Sequence, residues 1–338
     1  MPTTHQEIAD RAGVSRALVT RALHRTHRAR VSPRTRHEIL KVARELGYQP
    51  RNFTTYNIGY VGRTDALRLA GESRFLLLID QALRRAGFRL VLTSLSGDDK
   101  DPHIDEILNP KTVDGVIFSR WFGGQVCNVL SPEVPRIVVS DEDAIPLTVD
   151  KVVMDTVGIA EKVVEHFLEL GHRHIGIVAS PGKGGVTGHL HQGVEKALVE
   201  AGLPGTHDSI EVHTDADIAN GLEALMNRPD APTAFLVFGA EKSVTVLNVL
   251  NFLGYRVPED VSLISLIDSH LLEPILPAIT ATTAMDDVVA TRTVARLLER
   301  IENPTLAPRH ILVPGELIHR QSVGPVRRRR KKRSLGGS

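Results

Sequence analysis

Residues 4–24, THQEIADRAGVSRALVTRALH, decide how the N-terminal part of this chain folds. Thr4 and Glu7 stand at the N-cap and N3 spacing of a capping box, which predicts a short helix burying Ile8, Ala9 and Ala12. Gly13 ends it, and Ser15 can cap a second helix. In that helix Val19 and Leu23 point one way, while Arg16, Ala17, Thr20 and Arg21 share the opposite face. Two helices meeting at a Gly-containing turn, the second with an arginine-bearing outer face, read as a helix-turn-helix with a recognition helix. The competing reading is a plain amphipathic helix pair, and charge separates the two.

Residues 1–56 hold 11 Lys+Arg against 4 Asp+Glu, and residues 325–338 hold 7 basic and no acidic side chains. The whole chain has 41 basic and 40 acidic residues, so residues 57–324 carry 23 basic against 36 acidic. The formal net charge of +1 therefore conceals basic ends on an acidic body, as expected when one part of a protein meets nucleic acid.

The 338 residues are enough for two or three folded units with more than one core. The hydrophobic share of 42% and charged share of 24% are ordinary for a water-exposed globular protein. The longest dense apolar run, Phe75–Ile79, is far too short for a membrane span, and the polar N-terminus does not read as a secretory signal. Cys127 stands alone, which excludes an internal disulfide framework, fits a reducing cytoplasm, and reads as a small apolar residue rather than a nucleophile.

Beyond the recognition helix runs a basic connector, His24–Arg30. Ser32-Pro33 then supplies an N-cap and a proline at the first helical position, predicting a third helix that buries Ile39, Ala43 and Leu46 and stops at Gly47. From Ile58 the pattern changes. Strands are predicted at Ile58–Val61, Leu90–Leu95, Gly115–Phe118, Arg136–Val139, Ile175–Ala179, Ala234–Phe238 and Val261–Leu266, with helices at Phe75–Ala86, Thr156–Leu170, Gln192–Ala201, Ile218–Asn227 and Lys242–Leu253. This alternation predicts parallel sheets covered by helices, in two similar lobes, the second beginning near Asp150. Ligands of such folds sit at the carboxyl ends of the strands, here in a cleft between lobes. The expected division is a helix-turn-helix headpiece over 1–50, a shortened linker over 51–57, a two-lobed core over 58–324 and a basic tail over 325–338.

Several strings carry a family resemblance: Ala12-Gly13-Val14-Ser15 with Val19-Thr20-Arg21, Val31-Ser32-Pro33-Arg34-Thr35-Arg36, Leu46-Gly47-Tyr48-Gln49-Pro50, Leu170-Gly171-His172-Arg173-His174-Ile175, Asp230-Ala231-Pro232-Thr233-Ala234, Arg256-Val257-Pro258-Glu259-Asp260-Val261-Ser262 and Leu312-Val313-Pro314-Gly315-Glu316-Leu317. Together they resemble the LacI/GalR family of bacterial transcriptional regulators over residues 4 to about 323. The resemblance implies an all-α helix-turn-helix headpiece on an α/β, periplasmic-binding-protein-like (type I) core. It also implies a cytoplasmic, nucleoid-associated homodimer on an operator, responding to a small-molecule effector. It implies no cofactor and no enzyme activity; a small-molecule binding protein with a vestigial headpiece is the alternative.

Carried over by position, Arg16, Ala17 and Arg21 read bases in the major groove, and Thr20 contacts the backbone. An arginine can donate two hydrogen bonds to guanine O6 and N7, worth about 1–3 kcal/mol of discrimination. Thr4, Ser15, Ser32, Arg25, Arg28, Arg30 and Arg34 are expected at phosphates, which position the headpiece without reading sequence.

The sequence departs from the family in two places. Only Arg51–Asn57 separate Pro50 from Ile58, and Thr54, Thr55 and Asn57 stand where the family has the Ala, Arg and Leu of a hinge helix, so a hinge helix plus linker does not fit. Phe53 or Tyr56 either wedges between bases or packs on the core. In the effector cleft, Leu190 takes the place of the family's arginine, Gly239-Ala240 that of its Asn-Asp pair, and Ile267 that of the first Asp of a pair, leaving Asp268. A buried sugar hydroxyl without partners costs about 1–3 kcal/mol, so an atypical effector, or none, is expected. The residues expected to line the cleft are Arg63, Ser119, Arg120, Trp121, Asp141, Leu190, Phe238 and Asp268, with Trp121 and Phe238 either stacking on a ring or packing.

Gly182–Gly188 follows a strand and precedes a helix but matches neither the P-loop nor the dinucleotide pattern, and reads as a cleft-edge loop. The pairs His172/His174 and His189/His191 lack carboxylate or cysteine partners at metal-ligand spacing. The tail Arg327–Arg333 is seven consecutive basic residues without leucine heptads, so a dimer rather than a tetramer is expected. Such a tail either adds salt-sensitive DNA affinity or is simply solvated.

Overall fold

The computed structural model describes residues 4–23, 31–46, 48, 55–64, 66–68, 70–95, 104, 108–119, 134–139, 149–182, 184–283 and 287–327. Three helices open the chain: α1 (His5–Ala12), α2 (Arg16–Leu23) and α3 (Pro33–Glu45). The capping box at Thr4 and Glu7 forms as the spacing requires, each side chain serving the other's backbone. Gly13 adopts φ 64°, the left-handed conformation that favours glycine, and ends α1 with a backbone N–H to Ala9 O. The three helices close over Ile8, Ala9, Val19, Ala22, Leu23, Ile39 and Ala43, a small core of their own.

Two six-stranded sheets follow. The first contains β1 (Asn57–Arg63), β2 (Arg89–Leu95), β3 (Gly115–Phe118), β4 (Arg136–Val138), β5 (Asp150–Met154) and β11 (His310–Val313), in the order β11-β5-β4-β3-β1-β2 with every pairing parallel. The second contains β6 (Ile175–Ala179), β7 (Asp208–Glu211), β8 (Ala234–Val237), β9 (Ser262–Ser265), β10 (Thr280–Thr282) and β12 (Leu317–Ile318), in the order β12-β10-β9-β8-β6-β7, parallel except at β12. Helices α4 (Ala70–Arg85) and α9 (Asp287–Glu302) cover the first sheet. Helices α5 (Thr156–Glu169), α6 (Gly185–Glu200), α7 (Asp215–Met226) and α8 (Ala240–Phe252) serve the second.

The predicted restart near Asp150 is corrected by the sheet order. Residues 150–154 pair with β4 and β11 in the first sheet, and the second lobe starts with α5. The chain returns to the first lobe through α9 and β11 before β12 joins the second sheet. The first lobe therefore depends on residues from both halves of the sequence.

One cluster holds that return. Asp150, 1% exposed, accepts a hydrogen bond from Arg296 Nε at 2.6 Å and from the Arg309 backbone N–H at 3.0 Å. Arg300 Nε lies 3.0 Å from the second carboxylate oxygen. Arg296, 3% exposed, also donates through Nη1 to Glu299 at 2.7 Å and through Nη2 to the Ala307 carbonyl at 2.6 Å. The buried charges are thus paired and bonded, the condition under which an interior tolerates them.

At the entry to β1, the backbone N–H groups of Thr55 and Tyr56 both donate to the Asp114 carboxylate, at 2.9 and 2.8 Å. Tyr56 has φ 61°, and its ring packs against Phe88 at 5.7 Å and beneath the Arg36 guanidinium of α3 at 4.5 Å. Of the two fates open to Tyr56, the structure has the packed one. Phe53 lies outside the described residues.

Candidate nucleic-acid interface

Helix α2 divides its residues by face. Val19, Ala22 and Leu23 are buried, Arg16 and Ala17 are exposed, and Thr20 and Arg21 are half-buried along the same outer side. Ser15 Oγ accepts the Leu18 backbone N–H at 3.2 Å, fixing the first turn, and Arg16 projects from it. Arg21 donates through Nε to the Ala17 carbonyl at 3.2 Å, so its head lies along the helix beside Ala17. Thr20 donates to the Arg16 carbonyl at 3.0 Å. Ser32 Oγ accepts the Thr35 N–H at 3.1 Å at the start of α3, next to exposed Arg34. Thr4, Ser15, Arg16, Ala17, Thr20, Arg21, Ser32 and Arg34 thus all retain solvent-facing surface on one headpiece. Arg25, Arg28 and Arg30 lie outside the described residues.

Sequence reasoning missed His5. This first residue of α1 faces α2, with Nδ1 3.0 Å from Thr20 Oγ1 and Nε2 2.5 Å from Tyr48 OH, beyond the end of α3. Burial, and after it the nearby Arg16 charge, holds its pKa below the usual imidazole value, while burial raises that of Tyr48. Partners 15 and 43 residues away leave no local signal.

Of the expected effector residues, Arg63, Ser119, Phe238 and Asp268 fall at or just beyond strand ends. Arg63 ends β1 and Ser119 follows β3, on either side of the point where the first sheet reverses its strand order. Ser119 Oγ is buried without a hydrogen-bond partner. Phe238 follows β8 beside Lys242, whose ammonium lies 5.8 Å from the ring centroid and donates to Ser180 Oγ at 3.1 Å. Asp268 is committed to Arg320 at 2.8 Å. Leu190 needs correction: it is 0% exposed and packs in the core of the second lobe, because Gly193 lets α6 lie directly on α5. A Cβ at Gly193 would stand 2.5 Å from the Val157 carbonyl, so the contact requires glycine. Arg120, Trp121 and Asp141 lie outside the described residues.

The histidines also sort differently from the sequence pairs. His191 pairs with His207, Nδ1 to Nε2 at 2.6 Å, rather than with His189. His172 is buried between Thr233 Oγ1 and the Gly324 carbonyl, and His174 meets Asp208 at 2.8 Å. Among the described residues, no group of three or more His, Cys, Asp or Glu stands together as a metal site would require. Nor is any described helix long and apolar enough to cross a membrane.

Comparison with known proteins agrees with this geometry. Residues 4–51 match the model of bacterial regulatory proteins of the lacI family, and residues 164–323 match a periplasmic binding protein-like domain. The HTH-type transcriptional regulator DegA of Bacillus subtilis (strain 168) is 26% identical over 96% of this chain and 99% of its own length. CelR of Thermobifida fusca is 26% identical over 94% and 98%, and the repressor PurR of Escherichia coli O139:H28 is 25% identical over 96% and 98%. Among solved structures, a CelR–cellobiose complex superposes with TM-score 0.68 at 25% identity, covering 95% of this chain and 99% of that one. The Lac repressor dimer bound to operator shares the fold, with TM-score 0.68 at 20% identity over 96% and 100%. With its helix-turn-helix headpiece, two parallel-stranded lobes and near full-length match to such regulators, this chain carries a lacI-family DNA-binding domain joined to a periplasmic binding protein-like domain, the make-up of a bacterial transcriptional regulator.

Proposed function

We propose that this regulator binds a pseudo-palindromic operator as a homodimer in the bacterial cytoplasm, with Arg16, Ala17 and Arg21 at base edges. Thr4, Ser15, Arg25, Arg28, Arg30, Ser32 and Arg34 serve the phosphates, and Thr20 lies against the backbone with its hydroxyl hydrogen held by the Arg16 carbonyl. The observation that carries the reading is the division of α2, apolar residues inward and Arg16, Ala17, Thr20 and Arg21 outward. Dimerisation is assigned to the α4 and α8 side of the core, where Leu77 is 61% and Phe252 90% exposed. Phe252 rims a groove between α7 and α8. The headpiece is assigned to 1–50, the linker to 51–57, the core to 58–324 and the tail to 325–338.

Effector control is atypical or absent. Leu190 is core, Asp268 already has Arg320, and Gly239 and Ala240 bring no polar side chain. A regulator rather than an enzyme is the reading, since the relatives it matches along nearly its whole length are transcriptional regulators. Salt-titrated gel shifts on the DNA upstream of the protein's own gene test it. A specific shift is expected, with log affinity falling against log salt by about 0.9 per neutralised phosphate. Equal, weak binding to every duplex would leave the headpiece without an operator and sink the reading.

A further inference from the structure

A Thr20 hydroxyl that donates to the Arg16 carbonyl sets one direction for the hydrogen bonds around His5. Thr20 Oγ1 donates its only hydrogen to the Arg16 carbonyl, 3.0 Å away, so toward His5 Nδ1, also 3.0 Å away, it can only accept. His5 Nδ1 therefore carries the proton. Neutral imidazole has one donor and one acceptor, which leaves Nε2 to accept from the Tyr48 hydroxyl. Burial and the Arg16 charge both favour this neutral form. The Tyr48 ring also stands edge-on to the imidazole, with centroids 5.2 Å apart and planes at 61°. Tyr48 itself is anchored by its backbone N–H to the Ala43 carbonyl at 2.9 Å, on α3. Each hydrogen along the relay from Tyr48 to Arg16 thus has one acceptor.

We propose that His5 is a positioning residue for operator reading. Through Tyr48 O–H to Nε2, Nδ1–H to Thr20 Oγ1 and Thr20 O–H to the Arg16 carbonyl, it ties the recognition helix to the segment by which the chain leaves the headpiece. Thr20 lies between Arg16 and Arg21 on the outer face of α2, so the relay holds the turn that presents both arginines. α2 is 8 residues long, and its outer side has no packed core to fix it laterally. The relay gives it a fixed point on α1 and another beyond α3. A change in the connector that moved Tyr48 would reach the base-reading residues through His5 without crossing the apolar core.

The inference rests on the operator reading, and its test keeps the two apart. Full-length protein selects its preferred duplex from a random pool, and affinities are then measured for that duplex and for a scrambled one. His5→Leu and Tyr48→Phe are each expected to weaken the selected duplex about tenfold and leave the scrambled one unchanged, the scale of one or two lost hydrogen bonds. His5→Gln, whose amide both donates and accepts, is expected to recover most of the loss, which a merely folded-state defect would not allow. Tyr48→Phe and Thr20→Val are expected to be non-additive with His5 present and additive in the His5→Leu background. Additive effects with His5 present, or wild-type selectivity in His5→Leu, would overturn the relay. If the wild type selects no sequence at all, the operator reading falls and takes the relay with it.

Discussion

Asp150→Ala is expected to destabilise the protein by about 3–5 kcal/mol, a large share of the roughly 5–15 kcal/mol that holds an ordinary domain together. The substitution removes the carboxylate oxygen that accepts from both Arg296 Nε and the Arg309 N–H, and it leaves the Arg296 guanidinium buried at 3% exposure without that partner. Glu299 and the Ala307 carbonyl still hold two corners of the guanidinium, so the cost falls short of isolating a bare charge. Asp150→Asn retains an acceptor for Arg296 and should lose distinctly less. Chemical denaturation followed by circular dichroism measures both: the midpoint of Asp150→Ala should fall at unchanged m-value. A loss under about 1 kcal/mol would mean the cluster is a bystander of the fold. The effect should also reach beyond the first lobe, because β5 leads directly into α5 and α9 brings the chain back from the second.

The same cluster shows why part of the architecture was invisible in the sequence. β5 reads Asp-Lys-Val-Val-Met, and two charges at the start of a buried strand look like a turn until partners 146 residues later are known. β10 reads Thr-Ala-Thr and is fully buried only because Thr280 and Thr282 bond to Ser322 and to the Leu266 carbonyl. β7 has a single buried residue, Ile210, so no alternation announces it. The headpiece was legible because its signals are local: a capping box, a glycine at a left-handed turn, and a Ser-Pro helix start. The central strands were legible because short apolar runs mark them, as Ala-Phe-Leu-Val does β8. In the candidate site, the outer face of α2 followed from helical spacing alone. His5 did not, since Tyr48 is 43 residues away. Leu190 was misplaced because alignment by position cannot register that Gly193 draws α6 onto α5 and closes that face.

Arg21→Ala is expected to abolish operator preference while leaving salt-sensitive binding to any duplex. In the free headpiece Arg21 Nε is spent on the Ala17 carbonyl, which leaves the two terminal amino groups for the base edge proposed for them. Their spacing suits guanine O6 and N7, and losing such a pair removes about 1–3 kcal/mol of discrimination, roughly a five- to hundredfold drop in preference for the selected duplex over one substituted at that base pair. Arg21→Lys, a single point charge on a flexible stem, should keep the electrostatic attraction but recover little of the preference. Arg34→Ala is the contrasting case: exposed at the first turn of α3, it is assigned to a phosphate, so binding should weaken equally on all duplexes and the salt slope should shrink by about 0.9. Gel shifts over duplexes with single base-pair substitutions separate these outcomes. Unchanged selectivity in Arg21→Ala would remove Arg21 from the base-reading set. The expected effect is large because the described linker residues are occupied elsewhere. Tyr56 is packed on Phe88 under Arg36 rather than free to wedge into a groove, and Thr55 is held by Asp114 at the entry to β1. With Thr55 and Tyr56 so engaged, the proposed discrimination among sequences falls on the short outer face of α2.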